Sequence, residues 1–533
     1  MCIRHKLSRI LRSTVARHET TQQASVKSTT ENVPMAEVRF DDPKEIYRSK
    51  TTAELIRSAL ILKLCSIELL TRNSERLMNI GRLLLGKSLF KILMKNTIYG
   101  QFIAAENFKQ LKPEVEKLER NGIRSILDYC IEKDINQRQA KGITEASLEQ
   151  SLKIILESID MATAVKGNLQ MVAVKVTSIT EPLFLAKLND VIEASQQFLE
   201  ELYHDSWDNI VQIKTSVEEL MTKVKMVRRN AERINSQWIE YVKESADTAN
   251  KRTDFSKERH FDQTLSWEQF SGAFMPPEKQ KAPAWTRNDY QQYKALVGRL
   301  SKIADYAATK RVPVMIDAEQ TYFQAAIDYL SYSLMRIYNR EMPLIIPTYQ
   351  AYLKNAMKRV KTGLNLSRIW NYYFAAKLVR GAYMDTERAR AKELNYEDPI
   401  NESYEATNQM YNSIINVLFQ ESKQSSDGKV WFMCATHNEE SIRKLLTLLS
   451  DPTAKDVKKR LAFGQLYGMF DHLSFPLAQA GYTVYKYVPF GPLELTLPYL
   501  VRRAQENSST FHDCKHQIGM MRQEIARRRS RKK

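Results

Sequence analysis

Cysteine is sparse in this chain, and the few present form no pattern. The five residues, Cys2, Cys65, Cys130, Cys434 and Cys514, are odd in number and scattered. That excludes a disulfide framework, points to a reduced compartment, and leaves no zinc-site spacing. Long apolar runs are missing too. Nowhere do about eighteen uncharged apolar residues stand together, so no segment reads as a membrane-spanning helix. No Gly-x-Gly-x-x-Gly fingerprint occurs, which excludes a dinucleotide held in a Rossmann domain. No loop alternates acidic ligands around a central glycine, so calcium binding is unsupported. No internal repeat of fixed period is visible. The formal charge of +18 is high, but part of it sits at the chain ends and no recognised motif accompanies it, so nucleic acid is not an expected partner.

Acid is absent from the first eighteen residues, which instead carry Arg4, Lys6, Arg9, Arg12 and Arg17. Apolar Ile3, Leu7, Ile10, Leu11 and Val15 are interleaved at roughly helical intervals, and a Ser/Thr-rich stretch follows from Thr20 to Thr30. A basic, amphipathic, acid-poor start reads as a mitochondrial transit peptide within residues 1–40. At the other end, residues 511–533 read as a basic C-terminal tail, whose last run, Arg527-Arg528-Arg529-Ser530-Arg531-Lys532-Lys533, is expected to be solvated, contact with anionic lipid being the alternative. Between them, 533 residues at 43% hydrophobic and 27% charged suffice for one large domain with appendages.

Residues 41–118 read as helices. Within them Gly81 to Lys95 is basic and amphipathic, and its apolar residues are expected to pack on the main domain, a membrane surface being the alternative. From residue 119 a different rhythm begins. Short apolar runs recur with helical stretches between them: Ile123 to Ile131, Met171 to Val176, Val312 to Ile316, Leu344 to Ile346, Phe374 to Val379, Val430 to Cys434, Leu461 to Leu466 and Thr483 to Val488. Strand–helix alternation implies a parallel sheet, and eight units suggest a closed (βα)8 barrel over residues 119–510. Lys175, Asp317, Gln350, Lys377, Thr436 and Tyr487 fall near the carboxyl ends of these runs, where such barrels gather their chemistry. Residues 198–310 are too long for one connection and read as a helical insertion between strands two and three.

The segment Tyr499 to Asn507 adds a second pointer. At helical spacing Tyr499, Arg502, Arg503 and Glu506 share one face. An aromatic ring, two guanidiniums and a carboxylate make a poor core but a good wall for a small carboxylate ligand, because arginine's planar fork grips a carboxylate through paired bonds. A solvated helix with Glu–Arg pairs would look the same.

Taken with Ile316-Asp317-Ala318-Glu319, Tyr349-Gln350-Ala351-Tyr352, Lys377 to Tyr383 and Ala435-Thr436-His437-Asn438, the run Tyr499 to Asn507 resembles the proline dehydrogenase family, whose Tyr-Leu-x-Arg-Arg-x-x-Glu-Asn helix it fits in full. The resemblance covers roughly residues 120–510. It implies a distorted (βα)8 TIM-like barrel, a bound FAD, oxidation of L-proline to Δ1-pyrroline-5-carboxylate, ubiquinone as electron acceptor, and peripheral contact with the mitochondrial inner membrane. By resemblance, Arg502, Arg503 and Lys175 pair with the substrate carboxylate, and Glu506 balances the arginines. Tyr487, Tyr499 and Leu466 wall the pyrrolidine ring, Tyr383 borders it, and Asp317 holds the pocket's shape. Read from the residues alone, Lys175 and Asp317 would be a barrel-mouth salt bridge and Leu466 plain core. On the cofactor side Lys377 stands beside the isoalloxazine ring, where some bacterial members have arginine. Gln350, Val379, Arg380, Gly381, Thr436, His437, Asn438 and Gln465 look like its cradle. Nothing marks His437 as a catalytic base. Hydroxyproline dehydrogenase, on the same scaffold, is the nearest alternative; Tyr487 speaks against it by crowding the ring's fourth carbon. A non-catalytic barrel is the alternative from another class.

Overall fold

The computed structural model describes residues 38–67, 70–71, 73–131, 143–165, 167–203, 286–509 and 511–531. Its centre is a closed parallel barrel in which eight strands follow one another in chain order. These are β1 (Ile123–Tyr129), β2 (Met171–Val174), β3 (Val314–Ile316), β4 (Ile345–Gln350), β5 (Phe374–Val379), β6 (Val430–Ala435), β7 (Leu461–Leu466) and β8 (Val484–Phe490). Closure runs through β1 against β8, with Ile126 opposite Tyr487 and Asp128 opposite Pro489.

Buried Ile126, Met171, Ala173, Met315, Ile346, Ala375, Met433, Ala462 and Tyr485 fill the barrel's core. Side chains alternate between the two faces of a strand. Two residues beyond the last core position of each strand therefore stand Asp128, Lys175, Asp317, Thr348, Lys377, Ala435, Gly464 and Tyr487, at the carboxyl end. One pleat step turns an apolar plug into a polar floor.

Helices clothe the barrel. Among the described residues five precede it: α1 (Pro43–Ile46), α2 (Thr52–Cys65), α3 (Ser74–Asn96), α4 (Ile98–Phe102) and α5 (Phe108–Glu119). This arm is clipped to β8 by backbone bonds, Ala104 N–H donating to Pro489 O and Gly491 N–H to Ala105 O, each at 2.9 Å. A buried charge lock adds to it. Asp471 accepts from Lys50 of the arm at 2.5 Å and from Lys486 of β8 at 2.9 Å. Then come α6 (Glu145–Ala164), α7 (Pro182–Tyr203), α8 (Arg287–Lys310), α9 (Thr321–Tyr338), α10 (Ala356–Trp370), α11 (Met384–Leu394), α12 (Tyr404–Gln424), α13 (Glu439–Leu449), α14 (Lys455–Lys459), α15 (Asp471–Gln479), α16 (Leu493–Ser509) and α17 (Phe511–Ser530). Capping boxes at Thr144 and Thr286 start α6 and α8 by satisfying backbone donors that the first turn leaves open.

Of the insertion expected over 198–310, residues 204–285 lie outside the described residues, as does the transit peptide through residue 37; α7 and α8 flank the gap. Two expectations need correction. The region expected as a basic tail is a packed helix: α17 lies against α2, with Ile518, Met521 and Ile525 buried at a spacing of three and four residues, while Arg529, Ser530 and Arg531 at its end are exposed. Arg528 also donates to the carbonyls of Tyr47 and Lys50, fixing α17 to the end of α1. Nor does Gly81 to Lys95 hide its apolar residues, since most of its leucines face outward.

Candidate active site

A cavity of about 610 Å³ opens at the carboxyl ends of the strands. Lys175, Asp317, Tyr383, Leu466, Tyr487, Tyr499, Arg502 and Arg503 line it, as do Gln350, Lys377, Val379, Arg380, Gly381, Thr436, His437, Asn438 and Gln465. Glu506 lies within α16, but its side chain is outside the described residues.

The floor is a charge-balanced network. Lys377 donates to Asp317 Oδ1 at 2.5 Å. The Tyr487 hydroxyl donates to Asp317 Oδ2 at 2.5 Å. Lys175 donates to Asp128 at 2.9 Å and to Tyr487 at 3.1 Å, and lies 3.2 Å from Asp317. Burial alone would push the Asp317 carboxyl up, but Lys377 and Lys175 hold it well below the usual carboxylate range. Burial would likewise favour a neutral Lys175; Asp128, Tyr487 and Asp317 outweigh it and keep the ammonium charged. Burial, with Asp128 and Asp317 beside it, drives the Tyr487 phenol well up, so it stays protonated. Two cations thus face two carboxylates with a tyrosine between them. This pairing qualifies the sequence reading of Lys175. Its three donor positions already face Asp128, Asp317 and Tyr487, so it braces the floor.

The roof is α16. Arg502 stacks on Tyr383 at 4.8 Å, and Arg503 stands over Tyr499 at 4.9 Å. Arg503 is buried and Arg502 half-buried. Stacking on rings steers the guanidiniums, whose planar forks suit a planar anion.

On the remaining side the wall suits a flat, phosphate-bearing cofactor. Gln350 donates to the Glu319 carbonyl at 2.9 Å, yet its buried Oε1 has no partner. A buried amide oxygen in that state implies a donor supplied by a ligand. Gly381 has φ +152°, and a Cβ there would stand 2.0 Å from the Tyr352 ring, so backbone approaches the cavity as only glycine permits. Two helix N-termini, with their unshared N–H groups, open on the cavity: α12, capped by Ser403, and α13, capped by Asn438. Arg380 ties these parts together by donating to Asn408 at 2.9 Å, to Ser441 at 3.0 Å and to Thr436. His437 is no base. Burial first, then Lys486, Arg503 and Arg380, hold its imidazole neutral, and its Nε2 accepts from Leu466 N–H at 3.1 Å.

Sequence reading passed over Asp128, Arg388, Ser403 and Thr407. Asp128 had a visible signal, being an acid two residues after a core isoleucine at the end of an apolar run. The other three sit around the α11–α12 connection, whose only local signal is the capping serine.

An eight-stranded parallel barrel with a charged, aromatic-walled cavity at its carboxyl ends defines a (βα)8-barrel enzyme for a small organic anion. The family model for proline dehydrogenase matches residues 111–516. Mitochondrial proline dehydrogenase 1 of Homo sapiens is 33% identical, over 93% of this chain and 90% of that protein. Its counterpart in Drosophila melanogaster is 32% identical, over 92% and 81%. The hydroxyproline dehydrogenase of Xenopus laevis is 31% identical, over 91% and 89%. Among solved structures, proline utilization A from Bdellovibrio bacteriovorus superimposes with a TM-score of 0.54 at 16% identity; the match covers 86% of this chain and 42% of that longer one, and shows the shared fold. The chain belongs to the proline dehydrogenase family.

Proposed function

We propose that this protein oxidises L-proline to Δ1-pyrroline-5-carboxylate in mitochondria, with FAD in the cavity and ubiquinone as final electron acceptor at the inner membrane. The observation that carries it is the facing of Arg502 and Arg503 across one cavity from the Asp317–Lys377–Tyr487 floor. FAD, when bound, supplies the acceptor for the hydride that leaves ring carbon C5. Arg502 and Arg503 grip the substrate carboxylate. Tyr487, Tyr499 and Leu466 hold the ring in one orientation. Lys377, paired with Asp317, sets a cationic side chain beside the cofactor, which favours negative charge developing there. Gln350, Val379, Arg380, Gly381, Thr436, His437, Asn438 and Gln465 cradle it. The ring nitrogen loses its proton at or before hydride departure, and the C=N bond forms. Positioning is the protein's main contribution, up to about 7–11 kcal/mol where alignment is ideal.

Hydroxyproline dehydrogenases stand among the relatives, and the Tyr487 ring, fixed between Lys175 and Lys377 at 5.6 and 5.1 Å, argues for the unhydroxylated ring. The test is a visible spectrum of the purified protein titrated anaerobically with L-proline. A flavin band that bleaches supports the proposal; a colourless protein, or a band indifferent to proline, rejects it.

A further inference from the structure

Helix α3 has two apolar faces, and the fold uses one. The helix breaks at Gly86 (φ 66°, ψ 169°), and Phe90 returns to within 3.5 Å of where a Gly81 Cβ would be. Phe90 and Met94, four residues apart, are buried, while Lys91 and Lys95 both reach Glu106, at 3.0 and 2.5 Å. That side anchors the helix to the segment clipped onto β8. Away from it, Leu77, Ile80 and Leu84 recur at helical spacing before the break, and Leu89, Ile92 and Leu93 after it, all exposed. Leu83 and Leu84 are 83% and 77% exposed. A contiguous apolar ridge of this extent is rare on a soluble monomer.

The charges around the ridge say what covers it. α3 carries Arg76, Arg82 and Lys87 in addition to Lys91 and Lys95, the pair held by Glu106, against a single acid of its own, Glu75. Leucines in the middle with lysines and arginines alongside is the chemistry of a helix lying in a bilayer surface, its side chains among acyl chains and its cations at anionic headgroups. A protein partner matching this rim would have to be acidic around an apolar centre; the bilayer meets both conditions at once. Among the described residues no helix is long and apolar enough to cross a membrane, so the contact is peripheral. Location agrees. α3 packs on α16, the helix of Arg502 and Arg503, and Tyr99 of the adjoining α4 donates to Gly491 O at 2.7 Å, just past β8. The ridge therefore lies beside the cavity mouth.

We infer that α3 is the bilayer-docking element of this protein, seating the barrel mouth against an anionic membrane. The inference rests on the quinone-linked reading above for why the mouth should face lipid. The experiment is co-sedimentation of the full chain with vesicles of phosphatidylcholine and cardiolipin, and with phosphatidylcholine alone. The chain pellets with the cardiolipin vesicles and far less with the neutral ones. A Leu83→Glu/Leu84→Glu variant loses at least ~10-fold in partition while keeping proline turnover with a soluble dye, which shows it is folded. A Leu84→Trp variant shifts its emission to the blue on cardiolipin vesicles. The inference is overturned if the double glutamate variant pellets like the parent, if Leu84→Trp emission does not move, or if the ridge instead mediates a dimer that those leucines control. A chain that docks but whose flavin ignores proline faults the enzymatic reading alone. One that oxidises proline but ignores vesicles faults the docking alone.

Discussion

Tyr487 donates its hydroxyl to Asp317 at 2.5 Å, across a barrel that separates them by 170 residues of chain. The same carboxylate holds Lys377, so ring wall and cofactor-side cation hang from one anion. Asp317→Asn removes the charge that offsets Lys175 and Lys377, and proline kcat/KM should fall by about two orders of magnitude. Tyr487→Phe should cost less, because the ring remains. Since both changes break one network, the double variant should lose less than the two single losses combined, by about 1–3 kcal/mol. Strict additivity in steady-state kinetics would separate the two residues.

Arg502 stacks on Tyr383 and Arg503 on Tyr499. Each charge-assisted grip on a carboxylate should be worth about 1.5–3 kcal/mol. Arg502→Met and Arg503→Met should each raise the proline KM by one to two orders of magnitude, with kcat changed much less and flavin content intact. Unaltered KM in both variants would remove the carboxylate role from α16.

Gly381 offers a test of the cofactor wall that leaves substrate contacts alone. A Cβ would meet the Tyr352 ring at 2.0 Å on a backbone at φ +152°, so alanine forces either ring or loop to move. Gly381→Ala should purify with much less flavin, read from the ratio of visible to ultraviolet absorbance. Full flavin occupancy would place the cofactor elsewhere.

Much of this architecture was legible because the strands are short apolar runs with polar ends. Phe374–Val379 and Leu461–Leu466 were read with the observed bounds. Strand β4 runs on to Gln350, beyond the apolar Leu344 to Ile346, because Thr348 and Gln350 point at the polar mouth and break the hydrophobic signal. Asp128 was missed because what makes it matter is Lys175, a partner 47 residues away. The helix of α17 was masked by its arginines, which swamp a stripe of Ile518, Met521 and Ile525. The outward leucines of α3 could not be told from core leucines, since periodicity shows that a face exists and not what lies against it.

Tyr487 also sets the test between substrates. Cations at 5.6 and 5.1 Å fix its ring, so space near the substrate's fourth carbon cannot open by rotation. Tyr487→Ser should gain turnover on hydroxyproline relative to proline by at least ~10-fold, mostly through lost proline activity. An unchanged substrate ratio would mean that some other wall discriminates.

Glu319 links the site to pH. It is buried, and its carboxylate accepts from the Thr177 backbone N–H at 3.1 Å and from the Thr177 hydroxyl at 2.5 Å. Burial pushes its carboxyl from an ordinary 4.5 up to about 7, against the pull of those two bonds. A carboxyl raised in the fold favours folding while it is protonated. Its contribution is fully present below 4.5 and is lost as pH climbs through about 7. Glu319→Gln keeps an accepting oxygen for Thr177 and cannot ionise. Wild type should therefore lose stability relative to this variant across that window, on the order of 3 kcal/mol in all, and level off above it. Thermal melts of both proteins at matched pH values measure the difference directly, and because other titrating groups are shared they cancel. Melting curves that track each other from acid to neutral would show that Glu319 ionises as freely in the fold as in the open chain.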